Sequence, residues 1–272
     1  MRPHLEIPDN LSDSERVKNP QYIFGLIAAL FFFCLCGPSS AATDPWKEKP
    51  TCVFGMPYMD PAVQSHERGI INEILKAVFE PAGIILRHEN MSYRQAIKSL
   101  ASGKIDCTLD IVGSGKKLMQ GHVTMLFYDL SAAHLKSTPW KGVQSLSGKY
   151  VAYRYGFNLA SLLPVKYTLR QVYSLSSAFL MLEKGQADYA LDSDKLLVEA
   201  MRDSHSYAHH FTISPIKSYE VRPAFAKNEH GRRLRTIYEQ RMKQLAESGE
   251  LKEILEKNGL DAVEAKRILD TL

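Results

Sequence analysis

The sequence predicts an α/β protein built from two successive units, each a mostly parallel sheet flanked by helices, followed by a helical tail. Three observations predict it. Short apolar runs closed by Pro, Gly or polar residues alternate with stretches of helical periodicity from Thr51 to Ile111, the pattern of parallel strands joined by crossover helices. The same alternation starts afresh at Lys149 and runs to Met201. From His230 onward only the helical period remains. Apolar content of 45% and charged content of 24% in 272 residues are ordinary for a chain with a real core.

In the first unit, Thr51–Met56 (TCVFGM) is an apolar run ended by Pro57 and is expected to be a buried strand. Glu67–Phe79 places Ile70, Ile71, Ile74, Leu75 and Val78 at helical spacing, and Pro81 and Gly83 stop it. Ile84–His88 is the next strand. Ser92 caps a helix to Leu100 with Gly103 beyond it, and Ile105–Ile111 is a third strand. In the second unit, Lys149–Tyr153 is a strand leading to a turn at Gly156-Phe157-Asn158. Ser174–Glu183 is a helix, Asp188–Leu191 a strand and Asp194–Met201 a helix. Val221–Ala226 is the last strand, and His230–Glu247, Glu250–Lys257 and Asp261–Leu269 are the closing helices.

The N-terminus carries a different signal. Ile23–Leu35 (IFGLIAALFFFCL) is uncharged and apolar, long enough for a signal-peptide core and short of the roughly 20 residues a membrane span needs. Ser40-Ala41-Ala42 offers small residues for cleavage after Ala42 or Ala41, so residues 1–42 are expected to be an export signal and the product to be periplasmic, with no stable membrane insertion. Glu6, Asp9, Asp13 and Glu15 precede Lys18, the reverse of a basic leader, which predicts a translation start near Val17. Residues 1–42 hold three of the 34 Lys/Arg and four of the 30 Asp/Glu, so the remainder is about +5 with scattered charges. A nucleic-acid partner is not expected.

Cys52 and Cys107 remain after cleavage. Exported, two cysteines invite a disulfide, and in two neighbouring strands they also fit two buried thiols; one sequence does not fix the register that decides. No metal-ligand spacing and no cofactor motif is present, and His209-His210 is expected to be a surface pair. The loop Gly113-Ser114-Gly115-Lys116-Lys117 is not a phosphate-binding Walker motif, because Lys116 is followed by Lys117 and Leu118 rather than by Ser or Thr. It is left with two readings: an anion-binding loop built from backbone N–H groups and lysines, or a solvated turn. Either way it follows the carboxyl end of a predicted strand, where ligands of such sheets sit.

Several motifs occur in a recognisable order. Met56-Pro57-Tyr58 closes the first strand, Gly69-Ile70-Ile71-Asn72-Glu73-Ile74-Leu75 opens the first helix, and Ala101-Ser102-Gly103-Lys104-Ile105-Asp106 leads into the third strand. Later come Leu146-Ser147-Gly148-Lys149-Tyr150-Val151-Ala152, Leu182-Glu183-Lys184-Gly185-Gln186-Ala187-Asp188-Tyr189-Ala190, and Leu245-Ala246-Glu247-Ser248-Gly249-Glu250-Leu251-Lys252-Glu253-Ile254. In this order the chain resembles the type II periplasmic solute-binding proteins, the amino-acid-binding group of ABC importers (extracellular solute-binding protein family 3). The resemblance covers residues 50–260. It implies two α/β lobes joined by two crossing strands, with a small-molecule ligand held between them by hinge closure and an ABC permease as partner of a monomer. It sets the crossings near Asp129–Leu135 and Tyr219–Ala226, and the lobes at 50–130 with 222–272, and at 131–221.

The resemblance also implies a site, and there the sequence departs from the family. The family's carboxylate-binding Arg after the third strand falls on Leu118, and its later acid falls on Ser193, flanked by Asp192 and Asp194. A guanidinium grips a carboxylate through two parallel hydrogen bonds, which Leu118 cannot supply. The expected ligand set is therefore Tyr58, Asp110, Ser114, Lys116, Lys117, Tyr128, Tyr155, Phe157, Asn158, Asp192 and Asp194, with Arg154 near a strand end in the second lobe. The expected ligand is a small organic anion with an apolar or aromatic body, or an amino-acid-like molecule. Two other function classes stay open. A dehydratase-like enzyme on this fold would use Asp110, Glu67 or His134 as acid or base, and a degenerate lobe pair would serve protein contact.

Overall fold

The computed structural model describes residues 50–57, 62–63, 68–114, 117–155, 160–203 and 208–272. Its order is β1 (Thr51–Met56), α1 (Ile70–Phe79), β2 (Ile85–Asn90), α2 (Tyr93–Ala101), β3 (Cys107–Ile111), β4 (Met119–Gln120) and β5 (Leu126–Leu135). β6 (Tyr150–Arg154), β7 (Thr168–Val172), α3 (Leu175–Glu183), β8 (Tyr189–Ser193), α4 (Asp194–Asp203) and β9 (Phe211–Phe225) follow. The chain closes with α5 (Glu229–Ser248), α6 (Glu250–Lys257) and α7 (Ala262–Leu269).

The strands lie in the order β2-β1-β3-β9-β5-β8-β6-β7, with β4 also on β9. Pairing is parallel among β1, β2 and β3 and among β6, β7 and β8. The centre is antiparallel: β9 pairs β3 through Val221–Phe225 and β5 through Phe211–Val221, and β5 also pairs β8. Two parallel α/β groups are thus joined by two long strands, β5 and β9, that belong to both. This is the two-lobed architecture expected, with the last strand beginning at Phe211 rather than Val221. Pro215 interrupts the apolar alternation of that strand and hides its first half.

Local chemistry accounts for the helices. α1 buries Ile70, Ile71, Ile74, Leu75 and Val78 on one face, as its spacing predicts. Ser92 starts α2 with a capping box, accepting from the Gln95 N–H while Gln95 accepts from Ser92 N. Asp261 does the same for α7 with Glu264. Gly249, at φ 84°, turns α5 into α6 with a single left-handed residue, a conformation other residues adopt only at a cost.

In the second lobe the strand residues alternate between two cores. Leu130, Ala132, Val151, Tyr153, Tyr189 and Leu191 pack on one face. Ala133, Ala152 and Ala190 face the helix side, with Phe179, Leu182 and Leu197. Two short strands were not legible in the sequence: β4 has two residues, and β7 (TLRQV) is a sheet edge exposed through its first four.

Cys52 and Cys107 are free and fully buried, so the disulfide alternative is not realised. The register explains why. Cys107 lies opposite Phe54, two residues along from Cys52. With about 3.3 Å per residue and about 4.8 Å between strands, that offset sets the Cα atoms roughly 8 Å apart, beyond the roughly 7 Å a bridge spans. A hydrogen bond with Cys107, then burial, push the Cys52 thiol well up from its ordinary value.

Candidate functional site

A cavity of about 760 Å³ lies along β5 and β9, between the carboxyl ends of the lobe strands. Most of its wall is aliphatic, with Met56, Ile70, Leu109, Leu130, Leu162 and Ile216 among the lining residues. Its polar groups come in three clusters.

The first is at the end of β3. Asp110 is 1% exposed. Its carboxylate accepts from Tyr93 Oη of α2, from Ser114 Oγ at 2.9 Å and from Gln120 Nε2 of β4 at 2.7 Å. Burial first, and then Asp110 itself, push the Tyr93 phenol far above its ordinary value of 10.0. Asp110 therefore ties a helix start, a loop and a short strand together, the turn-capping use of a strand-end carboxylate. Ser114, expected to donate to a ligand anion, donates to Asp110 instead.

The second cluster sits in the other lobe. Arg154, at the end of β6, meets Asp192 of β8 with Nε at 2.6 Å from Oδ2 and Nη2 at 2.9 Å from Oδ1. Asp192 is 3% exposed and also accepts from Tyr128 Oη at 3.2 Å and from Ser193 N at 2.8 Å. Burial and then the Asp192 charge drive the Tyr128 phenol well up from 10.0, with Arg154 opposing. Asp192, one of the expected ligand residues, has its carboxylate committed to Arg154, and Arg154 is the group that lines the cavity. Beside it, Asp194 opens α4 and accepts from Ser131 Oγ at 3.0 Å, with Lys195 next to it on the wall.

The third cluster belongs to the connecting strands. Asp129 of β5 and Ser218 of β9 both bond to Arg267 of α7, and Lys217 and Glu264 line the cavity nearby. None of these was singled out from the sequence. Their significance depends on a helix that follows both strands in the chain, with Arg267 138 residues after Asp129 and 49 after Ser218, folding back onto them.

Of the expected site residues, Asp110, Ser114, Tyr128 and Asp194 line the cavity and Asp192 stands directly behind it. Lys117 is exposed and is not among the lining residues. Tyr155 is 53% exposed and leans on Tyr173 outside the cavity, ring centres 5.6 Å apart. Tyr58, Lys116, Phe157 and Asn158 lie outside the described residues, as does Glu67. His134, the other acid–base candidate, is buried away from the lining, between Leu135 O at 2.9 Å and Ser214 Oγ at 3.0 Å. Among the described residues no group of three or more His, Cys, Asp or Glu is placed to hold a metal.

No protein-family model matches the chain, and no curated protein matches it significantly. Solved structures do resemble it in fold. A histidine-bound substrate-binding protein of an ABC uptake transporter from Streptococcus pneumoniae superposes with a TM-score of 0.62 at 14% identity, covering 79% of this chain and 94% of its own. An ancestral arginine-binding protein bound to arginine gives 0.61 at 17% identity, covering 77% and 98%. The substrate-binding protein of an amino acid ABC transporter gives 0.56 at 17% identity, covering 77% and 99%. At these identities the likeness is one of fold: the two-lobed architecture of amino acid ABC transporter substrate-binding proteins.

Proposed function

We propose that the chain is an exported solute-binding protein that captures a small organic ligand between its lobes by hinge closure. It would serve an ABC importer or act as an orphan sensor or accessory protein. The observation that carries this reading is the cavity of about 760 Å³ between the two α/β groups, within the size range of small-molecule sites and largely apolar. The ligand it fits is an organic anion or amino-acid-like molecule with an apolar body. The aliphatic wall takes the body, and Arg154, Lys195 and Lys217 supply cationic donors on the lobe-two and hinge sides. Arg154 is the most enclosed of these, its guanidinium oriented from behind by Asp192. The lobes are 50–130 with 222–272, and 131–221, and residues 1–42 are the export signal. The protein acts as a monomer, without cofactor.

A thermal-shift screen of the purified protein against organic acids, amines, amino acids and neutral sugars tests this. A true ligand at 100 times its Kd adds about 2.7 kcal/mol of stability, and hits are expected among acids with apolar bodies. A flat screen favours protein contact instead, and turnover of a cyclohexadienyl acid would replace binding by catalysis. N-terminal sequencing of the exported product is expected to begin at Ala42 or Thr43.

A further inference from the structure

The two strands that join the lobes meet at a rung where Asp129 of β5 faces Ser218 of β9. Immediately beyond it the register slips. Leu130 pairs Lys217, but Ser131 pairs Pro215, so Ile216 is an extra residue in β9. A bulge bends and over-twists a ladder and interrupts its hydrogen bonds. Pro215 also has no N–H to give. Bending between the lobes therefore concentrates at Leu130–Ser131 and Pro215–Lys217.

One side chain grips the rung beside this weak point. Nη1 of Arg267 donates to both oxygens of Asp129, at 2.9 and 3.1 Å, and Nη2 donates to Ser218 Oγ. The same guanidinium lies 3.7 Å from the centre of the Phe127 ring, also on β5. The helix behind it is anchored: Asp261 caps α7, Ala265 and Ile268 are buried, and α7 packs on α6, which packs on α1 and α5. A helix fixed to the first α/β group thus holds both connecting strands through one planar group.

We propose that Arg267 is a hinge clamp and that α7, through it, limits how far the lobes swing about the bulge. Twisting β5 against β9 at the bulge begins at the adjacent rung, and a guanidinium bonded across that rung and stacked on Phe127 resists the twist. Arg267, Lys217, Leu130 and Ser131 all line the cavity, so a bound ligand touches the clamp and the bulge together. Lys would not replace Arg here, because an ammonium cannot bond two strands in one plane while stacking on a ring.

Spin labels on Cys introduced by Lys98→Cys and Lys184→Cys, both exposed and one on each lobe, read the inter-lobe distance without any ligand. Arg267→Met is expected to broaden and shift the distance distribution of the full-length exported product. Asp129→Asn should do the same, the two together no more than the larger single change, and Arg267→Lys an intermediate amount. The pair is about half exposed, so added salt should move the parent toward the Arg267→Met distribution. Coincident distributions for parent and Arg267→Met would overturn the proposal. If Arg267→Met does not fold, the same comparison with Arg267→Lys and Asp129→Asn decides it. Because no ligand enters the measurement, this outcome is independent of the binding reading.

Discussion

Arg154 and Asp192, on the neighbouring parallel strands β6 and β8, meet fork to fork at 2.6 and 2.9 Å, with the carboxylate almost wholly buried and the guanidinium facing the cavity. A buried pair of this kind is costly to break from one side, because the charge left behind has no counterpart. Asp192→Ala is therefore expected to destabilise the protein by about 3–5 kcal/mol in denaturant unfolding. Arg154→Met with Asp192→Leu should recover much of that loss, since neither charge remains buried. If Asp192→Ala were neutral, Arg154 would already be satisfied by water.

Gly231 lies in the first turn of α5, where its Cα approaches the backbone of Ala226 just past β9. A Cβ there would collide with the Ala226 carbonyl oxygen and come within 2.9 Å of its carbon. Backbone cannot swing aside as a side chain can. Gly231→Ala should cost about 1–3 kcal/mol despite the better helix propensity of Ala, the usual range for overpacking. A rise in melting temperature would mean that α5 docks less closely than it does here.

Tyr93, Tyr128 and Tyr238 all have phenols pushed above the ordinary 10.0, by burial first and, for Tyr93 and Tyr128, also by the carboxylates they contact. A raised folded-state value means that the associated stability is present below the unfolded value of 10.0 and is lost as pH climbs above it. Unfolding midpoints should therefore fall steeply above pH 10.0, and these phenols should ionise only together with unfolding. Phenolate absorbance appearing in full while the protein is still folded would contradict this.

The two core cysteines give a simple chemical test. Cys52 and Cys107 should resist a thiol reagent in the folded protein, because both are fully buried and the Cys52 thiolate is strongly disfavoured. After unfolding without reductant, both should react. None reacting would mean that the strands shift enough to bridge them.

Much of the architecture was legible in the sequence, because apolar periodicity reports which faces must leave water, and caps such as Ser92, Asp261 and Gly249 report where backbone groups need partners. The elements that were missed or shortened lack that signature: β7 is an exposed edge, and β9 is split by Pro215. Part of the site was legible too, since residues at the carboxyl ends of β3 and β8 and in the first half of β5 fall at the cavity by topology alone. What the sequence could not show was how the polar groups pair. Nothing local says that Ser114 and Gln120 turn to Asp110, that Asp192 is committed to Arg154, or that Arg267 returns from the last helix to hold Asp129 and Ser218. A hydrogen bond depends on position to within about half an ångström. Positions that fine are set only when strand register, the bulge at Ile216 and the packing of α7 act together.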